Sequence, residues 1–566
     1  MAYVVTQSCC ADAACVVACP VNCIHPAPGE PGFAEAEMLY VDANSCVGCG
    51  ACATACPAGA IVPAGSLPPG QQPFVALNAE YYEVFPHRDR TPLAVVAPQR
   101  RLRRPGPFRV AVIGAGPAGM YTADELLKHP EVSVDVYDRL PTPGGLVRAG
   151  VAPDHPSTKL VERLFRQIER ERGFRYFLNV EVGRDLTHDE LAAQYHAVVY
   201  TVGASADRPL GIEGEHLPGS LSATDLVGWY NGHPDRQDLP VPLHHERAVV
   251  VGNGNVALDV ARILTSDPDT LERTDIATLP LTALRRSGVR EVVVLGRRGP
   301  AQAAFTVPEL IGLAAIEGLD VVVEPGGCEL DPTTTAGRVL AELQQRAPRP
   351  DCPRIVLRFA TSPVRVLGTE ESGVTGVELV RNRLETAPDG AVRPVPTDEV
   401  ETLACGLVLR AVGYHGTPVP DLPYDAARGT VPSDRGRVRP GVYVAGWVKR
   451  GPSGFIGTNK SCAQETVEQL LDDLDRTGAE ALPEPVGTPE SIRAVVLGRR
   501  PAAVELAGWD AIDAEERRRG AARGRPRVKL VDLAEMERVA AAAARPGDDT
   551  PTPRAARLAR RLRPSR

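Results

Sequence analysis

From Phe108 onward, short apolar runs rich in Val and Ile alternate with longer stretches whose apolar positions recur at helical spacing. The runs suit strands buried on both faces, and the longer stretches suit helices packed along one side. Phe108-RVAVIGAGPAGMYTADELL and Arg247-AVVVGNGNVALDVARIL each give an apolar strand, a Gly-rich turn and a helix with an apolar face. Strands alternating with helices predict an α/β fold built on parallel sheet. Residues 1–87 lack this periodicity and carry few helix signals. They read as a small, loop-rich unit with little apolar surface to bury. The stretch His87 to Pro107, rich in Pro and Arg, reads as a linker over 88–107, and residues 545–566 as a disordered basic tail. No apolar run approaches the roughly 18–20 residues that span a bilayer.

Composition changes this picture only locally. A chain of 566 residues, 43% hydrophobic and 24% charged, has room for about three or four soluble domains. The net charge of −8 gives no support to nucleic-acid binding. Its distribution is uneven: Met1 to His87 contains no Lys or Arg, whereas Arg88, Arg90, Arg100, Arg101, Arg103 and Arg104 follow at once. That contrast predicts an acidic N-terminal unit tethered beside a basic face. The start, MAYVVTQSCC, lacks the features of a signal peptide, and cysteines spaced as metal ligands must stay reduced, so the expected compartment is the cytoplasm.

Nine of the thirteen cysteines lie in the first 56 residues. Cys46-x2-Cys49-x2-Cys52-x3-Cys56-Pro57 is a complete cubane-cluster run, and Cys9-x2-Asp12-x2-Cys15-x3-Cys19-Pro20 repeats its frame with Asp in place of the second thiolate. In two-cluster proteins of this type the fourth Cys of each run ligates the other cluster. Cys19, Cys46, Cys49 and Cys52 are therefore assigned to one [4Fe–4S] cluster, and Cys9, Cys15 and Cys56 to a second, with Asp12 at its fourth corner. That corner leaves three outcomes: [3Fe–4S] with the iron absent, which ranks first; [4Fe–4S] with Asp12 or water as ligand; or [4Fe–4S] with Cys10 swung in. Carboxylate is a harder ligand than thiolate and holds such an iron less tightly. The competing reading of Asp12 is a plain surface acid. Cys23 has no place in either set and reads as a packed thiol.

The remaining chemistry lies in the Gly-rich turns. Gly114, Gly116 and Gly119 follow a strand and open a helix, which suits a dinucleotide pyrophosphate, and Asp138 ends the next strand, where an acid can bind a ribose hydroxyl. Leu140-PTPGGLVRAGVAPDH and Val442-YVAGWVKRGPSGFIGTNKS are Gly-rich loops; the turn Gly454 to Thr458 suits a cap over a flavin ring, with Trp447 placed to stack nearby. The second turn, Gly252-Asn253-Gly254-Asn255-Val256-Ala257, precedes a strand that ends in Arg297 and Arg298, two guanidiniums suited to a 2′-phosphate and hence to NADP.

Taken together, GAGPAGMYTADELL, LPTPGGLVRAGVAPDHP, GNGNVALDVARIL, GRRGPAQAAFTVPEL and GWVKRGPSGFIGTNK resemble the adrenodoxin reductase-like branch of ferredoxin–NADP reductases over roughly residues 108–535. MAYVVTQSCC…CVVACPVNC resembles seven-iron bacterial ferredoxins, so the whole is similar to the actinobacterial fusion of the two. The resemblance implies an α+β two-cluster ferredoxin domain over 1–87. It implies an FAD-binding domain over 108–207 plus 412–544 and an inserted NADP-binding domain over 208–411. By position, Ala118, Asp138, Leu146, Val182, Trp447, Gly454, Phe455 and Ile456 would contact FAD. Arg208, Asn253, Gly254, Asn255, Val256, Arg297, Arg298, Glu309 and Gly454 would contact NADP. His155 and Glu309 resemble the polar pair placed near the flavin–nicotinamide contact. Two departures from the family pattern are Asp138, where Glu is commoner, and the spacing after Cys9, which is two residues short.

NADPH surrenders two electrons as hydride, an iron–sulfur cluster accepts one, and a flavin converts between them. The implied activity is that of a ferredoxin–NADP+ reductase passing electrons from NADPH through FAD and the fused clusters to a ferredoxin or another one-electron acceptor, a cytochrome P450 system among the candidates. Alternatives are the electron-input subunit of a larger enzyme, like the small subunit of glutamate synthase, and a redox or iron sensor built on the Asp12 corner.

Overall fold

The computed structural model describes residues 2–86, 99–478, 481–482, 484–485 and 487–543. Most of the expected linker and the whole expected tail, 545–566, lie outside the described residues. Two six-stranded sheets carry the larger part of the chain. The first runs in the order Arg437–Arg439, Val442–Val444, Ala197–Tyr200, Phe108–Ile113, Val132–Asp138, Phe174–Leu178. It is parallel apart from the Arg437–Arg439 edge. The second, entirely parallel, runs Ser220–Ser222, Leu407–Arg410, Arg247–Val251, Glu291–Leu295, Arg354–Arg358, Asp320–Glu324. Both central strands, VAVI at Val110 and AVVV at Ala248, are almost wholly buried, as the continuous apolar runs require when helices cover both faces. A two-stranded ribbon, Ala206–Asp207 with Tyr414–His415, marks where the chain crosses between the sheets. The sequence pattern did not disclose the long antiparallel arm Thr361–Thr369, Gly373–Thr386, Val392–Ala404, whose outer strand is mostly exposed.

The N-terminal unit is better ordered than expected. Two short antiparallel pairs, Tyr3–Val5 with Ile61–Pro63 and Ile24–His25 with Tyr40–Val41, flank the helices Ala14–Ala18 and Ala51–Ala55. A twelve-residue helix, Pro73–Val84, closes the unit and contradicts the expectation of few helices. Pro73 pre-sets its first turn, and Asn78 fixes it. Asn78 Oδ1 accepts the amides of Val5 and Val41 at 3.2 and 2.9 Å, while Nδ2 donates to the carbonyls of Val5 and Phe74. Val4, Val5, Ile24, Met38, Leu39, Ile61 and Phe74 form an apolar core, more than the expectation of little apolar surface allowed.

This unit is docked on both sheets. Ile311 of helix Val307–Ala314 is buried in its core, Glu37 accepts the Val307 amide at 2.9 Å, and Glu80 pairs with Arg338 at 2.5 Å. On the other side the Gly457 amide donates to the Cys10 carbonyl at 2.7 Å. Of the arginines expected to form a basic face, Arg88 and Arg90 lie outside the described residues, and Arg100, Arg103 and Arg104 turn elsewhere. Arg100 pairs with Asp472 and Asp475, Arg104 pairs with Glu484, and the Arg103 amide donates to Asp475. These arginines pin the chain to the end of helix Thr458–Leu474.

Candidate functional site

The two cysteine runs fold alike. In the complete run Gly48 and Gly50 take positive φ values of 71° and 78°; the matching residues of the first run, Ala11 and Ala13, take 54° and 60°. Both runs then enter a five-residue helix and leave it through a Cys with near-identical extended torsions. Asp12 thus stands where Cys49 stands in the other loop, although the left-handed region costs alanine more than glycine. Cys19, Cys46, Cys49 and Cys52 line one cavity with Tyr3, Pro20 and Val47. Cys49 and Val47 are exposed to solvent. Cys23 is buried against this set: its sulfur lies 3.5 Å from that of Cys19 and its amide donates to Cys19 Sγ. That thiol contact holds Cys19 below the ordinary thiol range.

Cys9, Cys15, Cys56 and Asp12 gather as a second pole, within electrostatic range of one another. Burial pushes the Cys9 thiol up to about 11 and raises those of Cys15 and Cys56, with each other's charges and that of Asp12 adding to the rise. Three thiols this reluctant to ionise become thiolates when a cationic cluster neutralises them, so the donor set fits one. Asp12 is 8% exposed, which corrects its reading as a surface acid. Its Oδ1 accepts the Ala14 amide at 3.3 Å, and burial raises its carboxyl, opposed by Lys460. Cys10 is also buried here, and the Tyr121 hydroxyl, within electrostatic range of Cys10 and Asp12, is buried with no hydrogen-bond partner among the described residues.

The Gly-rich turns are built for close approach. Gly114 has φ 110°, and a Cβ on Gly119 would lie 1.9 Å from the Gly114 carbonyl oxygen. No side chain caps helix Pro117–Leu127 or helix Asn255–Thr265, so their first amides are free for an anion, and both helix ends fit a pyrophosphate. Two loops converge on the first turn. A Cβ on Gly145 would meet Gly116 Cα at 2.8 Å, and one on Gly446 would meet Ala118 Cβ at 2.5 Å. Leu146 and Trp447 follow directly on these two glycines and the Gly454–Ile456 segment follows helix Trp447–Arg450, whereas Val182 packs in the apolar cluster around Val444 and Val448. Trp447 Nε1 donates to the Ser453 carbonyl, and its ring lies 5.2 Å from that of Tyr414. Asp138 also serves the backbone. Its oxygens accept the amides of Ala115 and Leu140 at 2.8 and 2.9 Å, which locks the turn itself.

At the second turn Asn253 and Asn255 accept the amides of Ala304 and Thr306, stapling the turn to the segment that precedes helix Val307–Ala314. Arg297 and Arg208 are exposed and Arg298 half-buried, and none of the three has an ion-pair partner among the described residues. Glu309, on the first turn of that helix, lies 3.9 Å from His155 Nδ1. Between them stands Arg262, which sequence reasoning missed. It pairs with Asp154 at 2.5 Å and Asp259 at 2.8 Å, donates to His155 Nε2 at 2.5 Å, and lies 3.9 Å from Glu309. Asp259 and Arg262, charges three apart on an otherwise apolar helix, were the available signal. Donation into Nε2 puts the His155 proton on Nδ1, facing Glu309. His155, Asp259 and Glu309 come close enough to suggest a cation site. The Arg262 guanidinium, hydrogen-bonded to the first two and facing the third, already supplies the positive charge. Burial raises the Glu309 carboxyl, against His155 and Arg262.

Comparisons with known proteins agree on both parts of the chain. The pyridine nucleotide-disulphide oxidoreductase family matches residues 108–267, and the 4Fe-4S binding domain matches residues 39–62, the stretch holding the complete cysteine run. A probable ferredoxin/ferredoxin–NADP reductase of Mycobacterium tuberculosis is 52% identical over 562 residues, covering 95% of this chain and 94% of that protein. Its counterpart from Mycobacterium leprae is 49% identical over 566 residues, covering 96% and 98%. The structure of Mycobacterium tuberculosis FprA in complex with NADPH superposes with a TM-score of 0.73 at 45% identity, covering 77% of this chain and all of that one.

Proposed function

Because the chain belongs to the family of ferredoxin/ferredoxin–NADP reductases, we propose from that premise which residues carry each step and in which direction electrons cross the molecule. The protein is a ferredoxin–NADP+ reductase with its own ferredoxin unit. When bound, FAD supplies the exchange between a hydride taken from NADPH and electrons handed on singly to iron–sulfur clusters.

Gly114, Gly116, Ala118 and Gly119 would hold the FAD pyrophosphate, Asp138 shapes that turn and would face the ribose, Leu146, Trp447, Gly454, Phe455 and Ile456 would surround the flavin, and Val182 would contact FAD away from these loops. Asn253 to Val256 form the NADPH phosphate turn, Arg297, Arg298 and Arg208 bind the 2′-phosphate, and Gly454 lets the nicotinamide approach. His155 and Glu309 orient the nicotinamide end. Cys9, Cys15 and Cys56 would hold a three-iron cluster, with Asp12 in the place of a fourth thiolate; Cys19, Cys46, Cys49 and Cys52 would hold a [4Fe–4S] cluster.

One observation carries the direction: the Gly457 amide, next to the flavin loop, donates to the carbonyl of Cys10 in the Cys9–Asp12 loop at 2.7 Å. Electrons are taken up at that pole and leave at the other, where Cys49 and Val47 face solvent. The acceptor is a one-electron carrier, a ferredoxin or equivalent, with a basic contact surface suited to a unit that has no Lys or Arg before residue 88. Cys49→Ala tests this. NADPH-driven dye reduction should persist while reduction of a protein acceptor collapses; protein-acceptor reduction at the parental rate would contradict the proposed exit.

A further inference from the structure

Gln7 belongs to neither cysteine run and to no nucleotide fingerprint. Its side chain nevertheless leaves the ferredoxin unit and reaches helix Val307–Ala314, where Nε2 donates to Glu309 Oε2 at 2.8 Å. The helix provides a seat for it. A Cβ on Gly312 would lie 2.4 to 2.6 Å from the Gln7 amide atoms, so only glycine leaves room at that position for the side chain to lie as it does. Around the Glu309 carboxylate stand His155 from the loop after helix Leu146–Ala149, Asp259 and Arg262 from helix Asn255–Thr265, and Gln7. Arg262 Nη1 is 3.9 Å from the same Oε2 that Gln7 holds. Without Gln7, the carboxylate has a guanidinium to close upon, away from His155.

We propose that Gln7 is a positioning residue for Glu309: through this one amide the fused ferredoxin unit holds the carboxylate where hydride transfer from NADPH uses it. The proposal rests on the reading that Glu309 and His155 orient the nicotinamide. A carboxylate oxygen fixed by a neutral amide keeps its place without losing its charge, and its partner oxygen stays turned toward His155 Nδ1. The ferredoxin unit is then part of the NADPH site as well as the receiver of its electrons.

The test is anaerobic stopped-flow reduction of the flavin by NADPH in the full chain with FAD and clusters, beside NADP+ titration followed by the flavin difference spectrum. Gln7→Met keeps the volume and removes the donor. Flavin reduction should slow by about tenfold, the effect of one lost hydrogen bond to a charged group. NADP+ affinity should stay within about twofold, because the phosphate end is held by the arginines. Gly312→Ala, a change that favours the helix, should push the amide aside and reproduce the slowing with Gln7 present. In a Glu309→Gln background, Gln7→Met should add nothing to the slowing of flavin reduction, whereas a residue serving only to dock the ferredoxin unit would slow cluster reduction and leave flavin reduction alone in the parental background. If Glu309→Gln slows flavin reduction but Gln7→Met and Gly312→Ala do not, the proposal is overturned and the site reading survives. If Glu309→Gln itself leaves flavin reduction unchanged, the site reading fails and the proposal falls with it.

Discussion

Gly457→Ala should separate NADPH oxidation from cluster reduction. Gly457 has ordinary helical torsions, φ −68° and ψ −26°, so alanine meets no backbone strain. Its Cβ, however, would lie 2.3 Å from Ala11 C and Asp12 N, and 2.4 Å from Ala11 O. Those are backbone atoms of the cluster loop and cannot swing aside as a side chain would. Restoring the 3.4 Å of ordinary contact from 2.3 Å requires a retreat of about 1.1 Å. The hydrogen bond from Gly457 to Cys10, 2.7 Å long, does not survive that movement. Losing it costs about 0.5–1.5 kcal/mol, and the overpacking adds about 1–3 kcal/mol. Together, about 1.5–4.5 kcal/mol disfavours the docked arrangement, enough to shift the ratio of docked to undocked chains at least tenfold. The assay is the ratio of NADPH-driven cluster bleaching to dye reduction in the same preparation. The ratio should fall by an order of magnitude or more. A folded, FAD-loaded Gly457→Ala chain with the parental ratio would refute the claim that electrons cross at this contact.

Other outcomes follow from the same structure. Asn78→Leu should lower the stability of the ferredoxin unit by about 2–5 kcal/mol, because the buried amides of Val5 and Val41 lose their acceptor; urea melts followed by cluster absorbance would show it, and a loss under about 0.5 kcal/mol would contradict the role given to Asn78. Lys159 and Lys529 share Asp275 in a buried cluster joining the two sheet domains, and burial holds Lys529 down to about 7. The unfolded chain keeps that proton up to about pH 10.4, so this group makes stability rise as pH climbs from about 7 to about 10. Denaturant melts across that range should show the slope, and Lys529→Met should flatten it; an unchanged slope would assign it to other groups.

The sequence was most legible where chemistry fixes the spacing. Two cysteine runs and two Gly-rich turns can be read locally because a cluster or a pyrophosphate demands those residues at those intervals, and the apolar strands beside them place the turns. Helix Pro73–Val84 was missed because its stabilising contacts run from Asn78 back to Val5 and Val41, far away in sequence; only Pro73 announced it. The Arg262 hub was hidden for a related reason. Its partners Asp154 and His155 come from one loop and Glu309 from a distant helix, and only the paired charges Asp259 and Arg262 on an apolar helix hinted at it. Asp138 shows how a strand-end acid can also be structural, since its oxygens accept the amides of Ala115 and Leu140 and hold the turn. The docking of the ferredoxin unit left no local trace at all. Glu37, Glu80 and Gln7 look like ordinary surface residues until helices Val307–Ala314 and Thr335–Gln345 are set against them.

The central claim is that electrons are taken up at the Cys9–Asp12 pole and leave at the Cys49 pole. Rapid-freeze EPR of the anaerobic full chain, mixed with NADPH and quenched at increasing times, tests it most directly. The oxidised three-iron signal of the proposed Cys9, Cys15, Cys56 cluster should disappear first, and the reduced [4Fe–4S] signal of the Cys46 run should grow in afterwards. A [4Fe–4S] signal that reaches full height while the three-iron signal is still intact would contradict it.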